Sequence, residues 1–255
     1  MNFFLALAFA VTAAVYASAG FGGGSSYTAL LAASGVDAAV LPIVSLACNI
    51  LVVAGATWRH AACGNVPWRG VVPLAACSVP MAWIGGRLPV GEDVFLTLLG
   101  IALLLAALLM FFQPAEQRRP RPKQPPRGVL FATGGAVGLL SGVVGIGGGI
   151  FLAPLMYLMA WDTPRRIAAA ASVFILVNSF AGIAGQLAKG GGERALEAVS
   201  FWPLAIAVII GGQIGARLAA GRLPERQIRR LTGVIVLIVA LRLIWGVLRR
   251  NVVGS

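Results

Sequence analysis

Long apolar runs separated by short polar or basic segments dominate this chain. Residues 94–112, 200–214 and 231–248 carry no acidic side chain, and each is close to the length that crosses a hydrocarbon core of about 30 Å. The pattern predicts six crossings, at about 36–58, 68–86, 94–112, 166–188, 201–216 and 231–248. Two further apolar segments, one before Gly20 and one at 129–144, each run into a block of glycines.

Those blocks show that the chain is written twice. Gly20-Phe21-Gly22-Gly23-Gly24 recurs as Gly145-Ile146-Gly147-Gly148-Gly149, and Asp37 and Asp162 stand at the same offset from the first glycine of each block. Gly86-Arg87-Leu88 resembles Ala216-Arg217-Leu218. Leu88-Pro89 with Leu96-Thr97 matches Leu223-Pro224 with Leu231-Thr232. Asn49 and Asn178 correspond once an offset of about one helical turn is allowed. The sequence therefore predicts an all-α polytopic membrane protein of two homologous halves, 1–113 and 128–255, joined by a basic linker at 114–127. Each half is a glycine-broken helix or re-entrant hairpin followed by three transmembrane helices. Met1–Gly20 ends in Ala17-Ser18-Ala19, which has the form of a signal-peptide cleavage site. Its counterpart at 129–144 is internal, so the first segment is expected to be retained.

Charge decides orientation. Of a formal net charge of +12, much sits in two segments between apolar runs: Arg118, Arg119, Arg121, Lys123 and Arg127, then Arg222, Arg226, Arg229 and Arg230. That placement marks cytoplasmic loops and argues against a nucleic-acid partner, since no soluble basic domain is present to carry one. With the linker inside, Glu92 and Asp93 fall outside, Arg59, His60 and Arg69 inside, and Asp37 outside. If 129–161 crosses once, Arg222–Arg230 falls outside, against the rule. If it is a re-entrant hairpin, Arg165, Arg166 and Arg222–Arg230 fall inside, and 189–197 becomes an outer loop. The hairpin is the preferred reading, although it leaves Arg249 and Arg250 outside. It makes the halves an inverted repeat whose glycine tips meet near the middle of the bilayer, where many secondary transporters bind substrate. Eight full crossings with parallel repeats is the competing arrangement.

A break in a membrane helix exposes backbone groups that lipid cannot satisfy, so it belongs where protein or a wet cavity surrounds it. Gly22, Gly23 and Gly24 permit close approach and positive φ, and Ser25 and Ser26 stand where the next helix begins, as N-cap types. Free N–H groups at a helix start favour an anion. Two such ends facing each other would hold an oxyanion without a fixed cation. The competing reading is that the glycines only let helices pack closely. Asn49 and Asn178 either donate to the anion or bridge helices; Ser45, Ser172, Gln186 and Gln213 are weaker candidates. Arg242, the one base deep in an apolar run, is read as snorkelling.

Other chemistries are poorly served. All eight acids lie in loops or at helix ends, unlike the intramembrane carboxylates of cation pumps. His60 is the single histidine, and Cys48, Cys63 and Cys77 lack metal spacing, so neither a metal site, a cofactor nor an enzymatic centre is expected.

The second block, Gly145-Ile146-Gly147-Gly148-Gly149, is followed by Pro154-Leu155, then by residues 168–172 and Asn178. Together with the first block, the charged linker and the run 211–218, it resembles the sulfite exporter TauE/SafE family of membrane permeases. In the first half Ser25-Ser26-Tyr27 and Ala29 replace the apolar residues and proline of the second. The resemblance implies a secondary transporter in the bacterial cytoplasmic membrane that moves sulfite or an organosulfonate such as sulfoacetate by alternating access. An anion channel or a membrane assembly subunit is the alternative. The expected partners are the lipid bilayer and a small anion; no oligomeric state is specified. The candidate substrate-binding residues are Gly22, Gly23, Gly24, Ser25, Ser26, Asn49, Gly147, Gly148, Gly149 and Asn178.

Overall fold

A computed structural model describes residues 3–18, 21–112, 125–159 and 161–218, with 234, 237–238, 240–241 and 244–249 of the C-terminal segment. Among these residues there is no strand. The helices are α1 (Phe3–Ser18), α2 (Gly24–Ala33), α3 (Leu41–Ala62), α4 (Trp68–Arg87), α5 (Glu92–Phe112), α6 (Arg127–Val144), α7 (Gly149–Leu158), α8 (Pro164–Val199) and α9 (Trp202–Leu218). Leu41–Ala62, Arg127–Val144 and Arg165–Lys189 are each long and apolar enough to cross a membrane. Exposed large apolar side chains such as Phe4, Ile101, Ile210 and Trp245 line the outside. On a soluble monomer so much exposed apolar surface would mark an interface; on this one it is the surface that meets lipid.

Helices occupy the stretches expected to cross at about 36–58, 68–86, 94–112, 166–188 and 201–216, with two corrections. The first crossing begins at Leu41 rather than near residue 36, because Gly35 takes a left-handed turn (φ 75°) and Asp37 Oδ1 accepts from the Ala39 N–H at 2.7 Å. The expected outer loop at 189–197 is helical and belongs to α8. Ala, Leu, Glu and Arg after the glycine run favour helix strongly enough to carry it on, and Glu193–Val199 then meets α9 at 53°. The linker's residues 113–124, and most of 231–248 with Arg242, lie outside the described residues.

Glycine contacts give the helix directions. Gly134, Gly138 and Gly142 of α6 lie against the backbone of Leu74, Ser78 and Ala82 of α4, in the same order. A Cβ at any of them would strike an α4 carbonyl, which is how small-residue stripes bring membrane helices together. Gly211 and Gly215 of α9 meet Ala10 and Ala14 of α1 in the same manner. Both pairs are thus parallel, and they are the most extensive helix packings among the described residues. Gly70 and Gly86 of α4 meet Trp161 and Gly182, so α4 is also parallel to α8. Helix α3 runs opposite to α8: Leu46 near its start touches Gly182, while Arg59 and His60 at its end share a cleft with Arg165 at the start of α8. Ala17 and Ser18, ending α1, reach that same cleft, which makes α1 parallel to α3. Helices α1, α3 and α9 therefore share one direction, and α4, α6 and α8 the other.

Helices α2 and α7 double back. Tyr27 of α2 stacks on Phe9 of α1 (centroids 4.8 Å apart, 19° between planes), and Tyr16 Oη lies 3.1 Å from Ser26 Oγ. A chain continuing straight from Phe9 would carry residue 27 about 27 Å away. Helix α7 links α6 and α8, which run the same way, so it too returns toward the side from which α6 came.

Candidate functional site

The two breaks meet. Gly24, at the start of α2, lies so close to the Ile146 carbonyl that a Cβ there would collide with it and with Asn49 Nδ2. Asn49, fully buried on α3, donates from Nδ2 to the Ile146 carbonyl at 2.9 Å. One side chain of the first half thereby holds the break of the second. Asn49 also faces Gly22 and Gly147, at each of which a side chain would run into its amide.

The glycines of the two breaks serve different ends. In the second, Gly145, Gly147 and Gly148 have φ of 74°, 81° and 79°, a left-handed backbone that other L-residues rarely adopt. In the first, Gly23 has φ −90°, and no glycine among residues 22–24 is left-handed. Only close approach requires them.

Gly23 is the N-cap of α2, and no side chain caps it. Ser25 and Ser26, expected as caps, stand inside the first turn instead, almost wholly buried. Starting the helix at Gly24 lets Thr28 Oγ1 and Ser45 Oγ both donate to the Gly24 carbonyl at 2.9 Å. Thr28 Oγ1 and Ser45 Oγ are themselves 2.8 Å apart, so α2 is pinned to α3 by hydroxyls. The first backbone N–H of α2 with a helical partner is that of Tyr27, which donates to Gly23 at 2.8 Å. In α7 the corresponding first donors are Phe151 and Leu152, both to Gly148. Each helix start carries about half a positive charge, and the two starts converge on Ile146 and Gly147.

Asn178 is not Asn49's equal. Its Nδ2 donates to Phe174 of its own helix at 2.9 Å, and Ser179 rather than Asn178 approaches Gly147. Gly148 and Gly149 pack on Phe174 and Ile175 of α8. Gln186 bridges α8 to the Gly142 carbonyl at 3.2 Å, Ser172 bonds within α8, and Gln213 is exposed.

The sequence reading passed over several groups beside the breaks. Among the described residues, the side-chain oxygens of Ser25, Tyr27, Asn49, Ser141, Asn178 and Ser179 are buried with no hydrogen-bond partner. Each such atom costs about 1–3 kcal/mol. Those of Ser25, Tyr27, Asn49, Ser141 and Ser179 lie beside the two helix starts, which makes the place receptive to a polar guest. The Thr57 hydroxyl is buried without a partner elsewhere on α3. Ser141 one turn before Gly145, Ser179 beside Asn178 and Tyr27 beside Ser26 were each visible as polar neighbours of a motif. No periodicity singled them out.

Among the described residues the chain is an all-helical apolar bundle whose broken, doubled-back helices present their starts to each other at buried polar groups, the form of a multi-pass membrane protein. The chain belongs to the sulfite exporter TauE/SafE family, whose model matches residues 4–243. It is 35% identical over 244 residues to a probable membrane transporter protein of Sinorhizobium fredii, covering 94% of this chain and 97% of the relative. It is 31% identical over 197 residues to a probable membrane transporter protein of Xylella fastidiosa, covering 73% of this chain and 72% of the relative. No solved structure matches the chain.

Proposed function

We propose that this protein is a secondary carrier of small anions in a bacterial cytoplasmic membrane, moving sulfite or an organosulfonate such as sulfoacetate by alternating access. The observation that carries the reading is the convergence of the α2 and α7 starts, tied by Asn49 to Ile146 and surrounded by buried hydroxyls. Backbone N–H groups and hydroxyls donate to an oxyanion as it sheds its water, and neither needs to carry a fixed charge. Gly22, Gly23, Gly24, Ser25, Ser26, Asn49, Gly147, Gly148, Gly149 and Asn178 are proposed as the substrate region, with Ser141 and Ser179 added to it. The family's own description supplies the sulfur anion.

The halves, 1–113 and 128–255, are read as an inverted repeat. Support comes from the helix directions: α1 against α6, α3 against α8 and α4 against α9 each pair equivalent helices that run oppositely. Reciprocal packing of α6 on α4 and of α1 on α9 means that each half clasps the broken helix of the other. A rocking motion between two such units exposes the breaks to alternate sides. The tight fit of Gly24 on Ile146 favours a carrier, whose gate must move, over a channel with a standing path. The relatives bear transporter names, in keeping with a protein that moves its substrate rather than converting it.

The test is flux through purified protein in liposomes, with sulfite, sulfoacetate, thiosulfate and sulfate in turn. Saturable uptake of at least one anion, accelerated by the same anion on the far side, is expected. Absence of flux for every anion, together with a cation conductance, would overturn the reading.

A further inference from the structure

A cleft of about 440 Å³ opens where α1, α3 and α9 end and α8 begins. Its polar lining is Arg59, His60, Cys63, Asn65, Arg165 and Ser18, and alanines supply the rest. No acid lines it. Asp162, which precedes Arg165 by less than one turn, is held by Arg166 at 3.2 Å, so Arg165 keeps its charge for the cleft. Ser18 Oγ is engaged with the Val15 carbonyl at 2.6 Å. The cations are therefore the cleft's main polar offering.

Its position gives it meaning. Ala56 lines the cleft, and Val53, one turn earlier on α3, touches the site of Gly22. The cleft thus begins about one helical turn from the first break. Helices α1 and α3 of the first half and α8 and α9 of the second form its walls, so it straddles the seam between the halves. Arg59 and Arg165 come from different halves yet share one mouth, on the side that basic residues assign to the cytoplasm.

We propose that this cleft is a second anion site, distinct from the glycine breaks. It is a vestibule in which Arg59 and Arg165, with His60 beside them, collect a small oxyanion such as a sulfonate, sulfite or carboxylate. A concave, low-dielectric surface of one sign focuses its field and raises the local concentration of opposite charge, speeding entry by about 10–1,000-fold. The alanine walls suit the short apolar body of an organic anion, and the volume falls within the range of about 300–1,000 Å³ usual for small-molecule sites. Delivery of the anion onward rests on the proposed carrier function; its capture in the cleft does not.

Cys63 is exposed on the lining and reports the field directly. In the full-length Cys77→Ala protein, with Cys48 buried, Cys63 is labelled with two methanethiosulfonates of similar size, one anionic and one cationic. Each rate is divided by that of a free thiol in the same buffer. At low ionic strength the anionic reagent is expected to be favoured about tenfold. The preference should collapse in Arg59→Gln/Arg165→Gln, return in Arg59→Lys/Arg165→Lys, and shrink in 1 M salt, where the screening length is about 3 Å. Sulfoacetate should slow labelling of the Arg form, and sulfate should do so as well if charge alone is read. In flux assays the Gln pair should raise KM with little change in maximal rate. Equal normalised rates that ignore both arginines, with anion flux intact, would overturn the vestibule alone. A charge preference that persists while no anion is transported would leave the vestibule standing and remove the carrier reading.

Discussion

The two glycine breaks share a motif and differ in mechanics. The second bends through left-handed backbone at Gly145, Gly147 and Gly148; the first needs only the room that Gly22 and Gly24 leave for Asn49 and Ile146. Asparagines divide the same way: Asn49 ties the two halves together, whereas Asn178 serves its own helix. The two glycine motifs thus carry different roles. The first half supplies the clasp and the second supplies the bend it holds.

Substitutions test that division, in falling order of expected effect. Gly24→Val places a branched side chain against the Ile146 carbonyl. It should lower stability by about 3 kcal/mol and abolish flux; wild-type thermal unfolding in detergent would contradict the contact. Asn49→Ala strands a buried carbonyl and should cost about 2 kcal/mol. Asn178→Ala, whose acceptor keeps its helical bond, should cost less than about 1 kcal/mol. Equal costs would erase the distinction between clasp and local bond.

A double-mutant comparison is finer. Gly22→Ala meets the Asn49 side chain at 2.6 Å, so its penalty should fall by at least about 0.5 kcal/mol when combined with Asn49→Ser. Gly147→Ala also crowds Asn49, but its left-handed backbone remains, and about 1 kcal/mol of its penalty should survive the same combination. Matching rescue at both positions would show that the breaks work alike. Last comes Ser179→Ala, the one substitution here expected to stabilise. Its hydroxyl is buried with no partner among the described residues, so its loss should raise stability by about 1 kcal/mol. KM for the transported anion should still rise if the hydroxyl donates to it, and an unchanged KM would remove Ser179 from the site.

Much of this was legible in the sequence, because membrane helices announce themselves by length and apolarity and because two copies check each other. The glycine blocks and Asn49 came from such comparison, and the preference for doubled-back helices over eight full crossings came from the placement of basic residues. What stayed hidden depends on three-dimensional detail. That α2 begins at Gly24, with Ser25 and Ser26 already inside, depends on Thr28 and Ser45 meeting the Gly24 carbonyl. That α8 runs on to Val199 depends on good helix formers outweighing three glycines. The cleft that joins Arg59 to Arg165 pairs residues remote in sequence, and charge counting placed them on one side without placing them together.

Alternating access as proposed requires the two halves to be oppositely oriented. Ser34, just after α2, and Thr163, just after α7, are both exposed and occupy corresponding connections in the two copies. In protein with Cys63 and Cys77 replaced, Ser34→Cys should react with a membrane-impermeant thiol reagent only from outside the cell, and Thr163→Cys only from the cytoplasmic side. Labelling of both from one side would make the repeats parallel and contradict the inverted architecture.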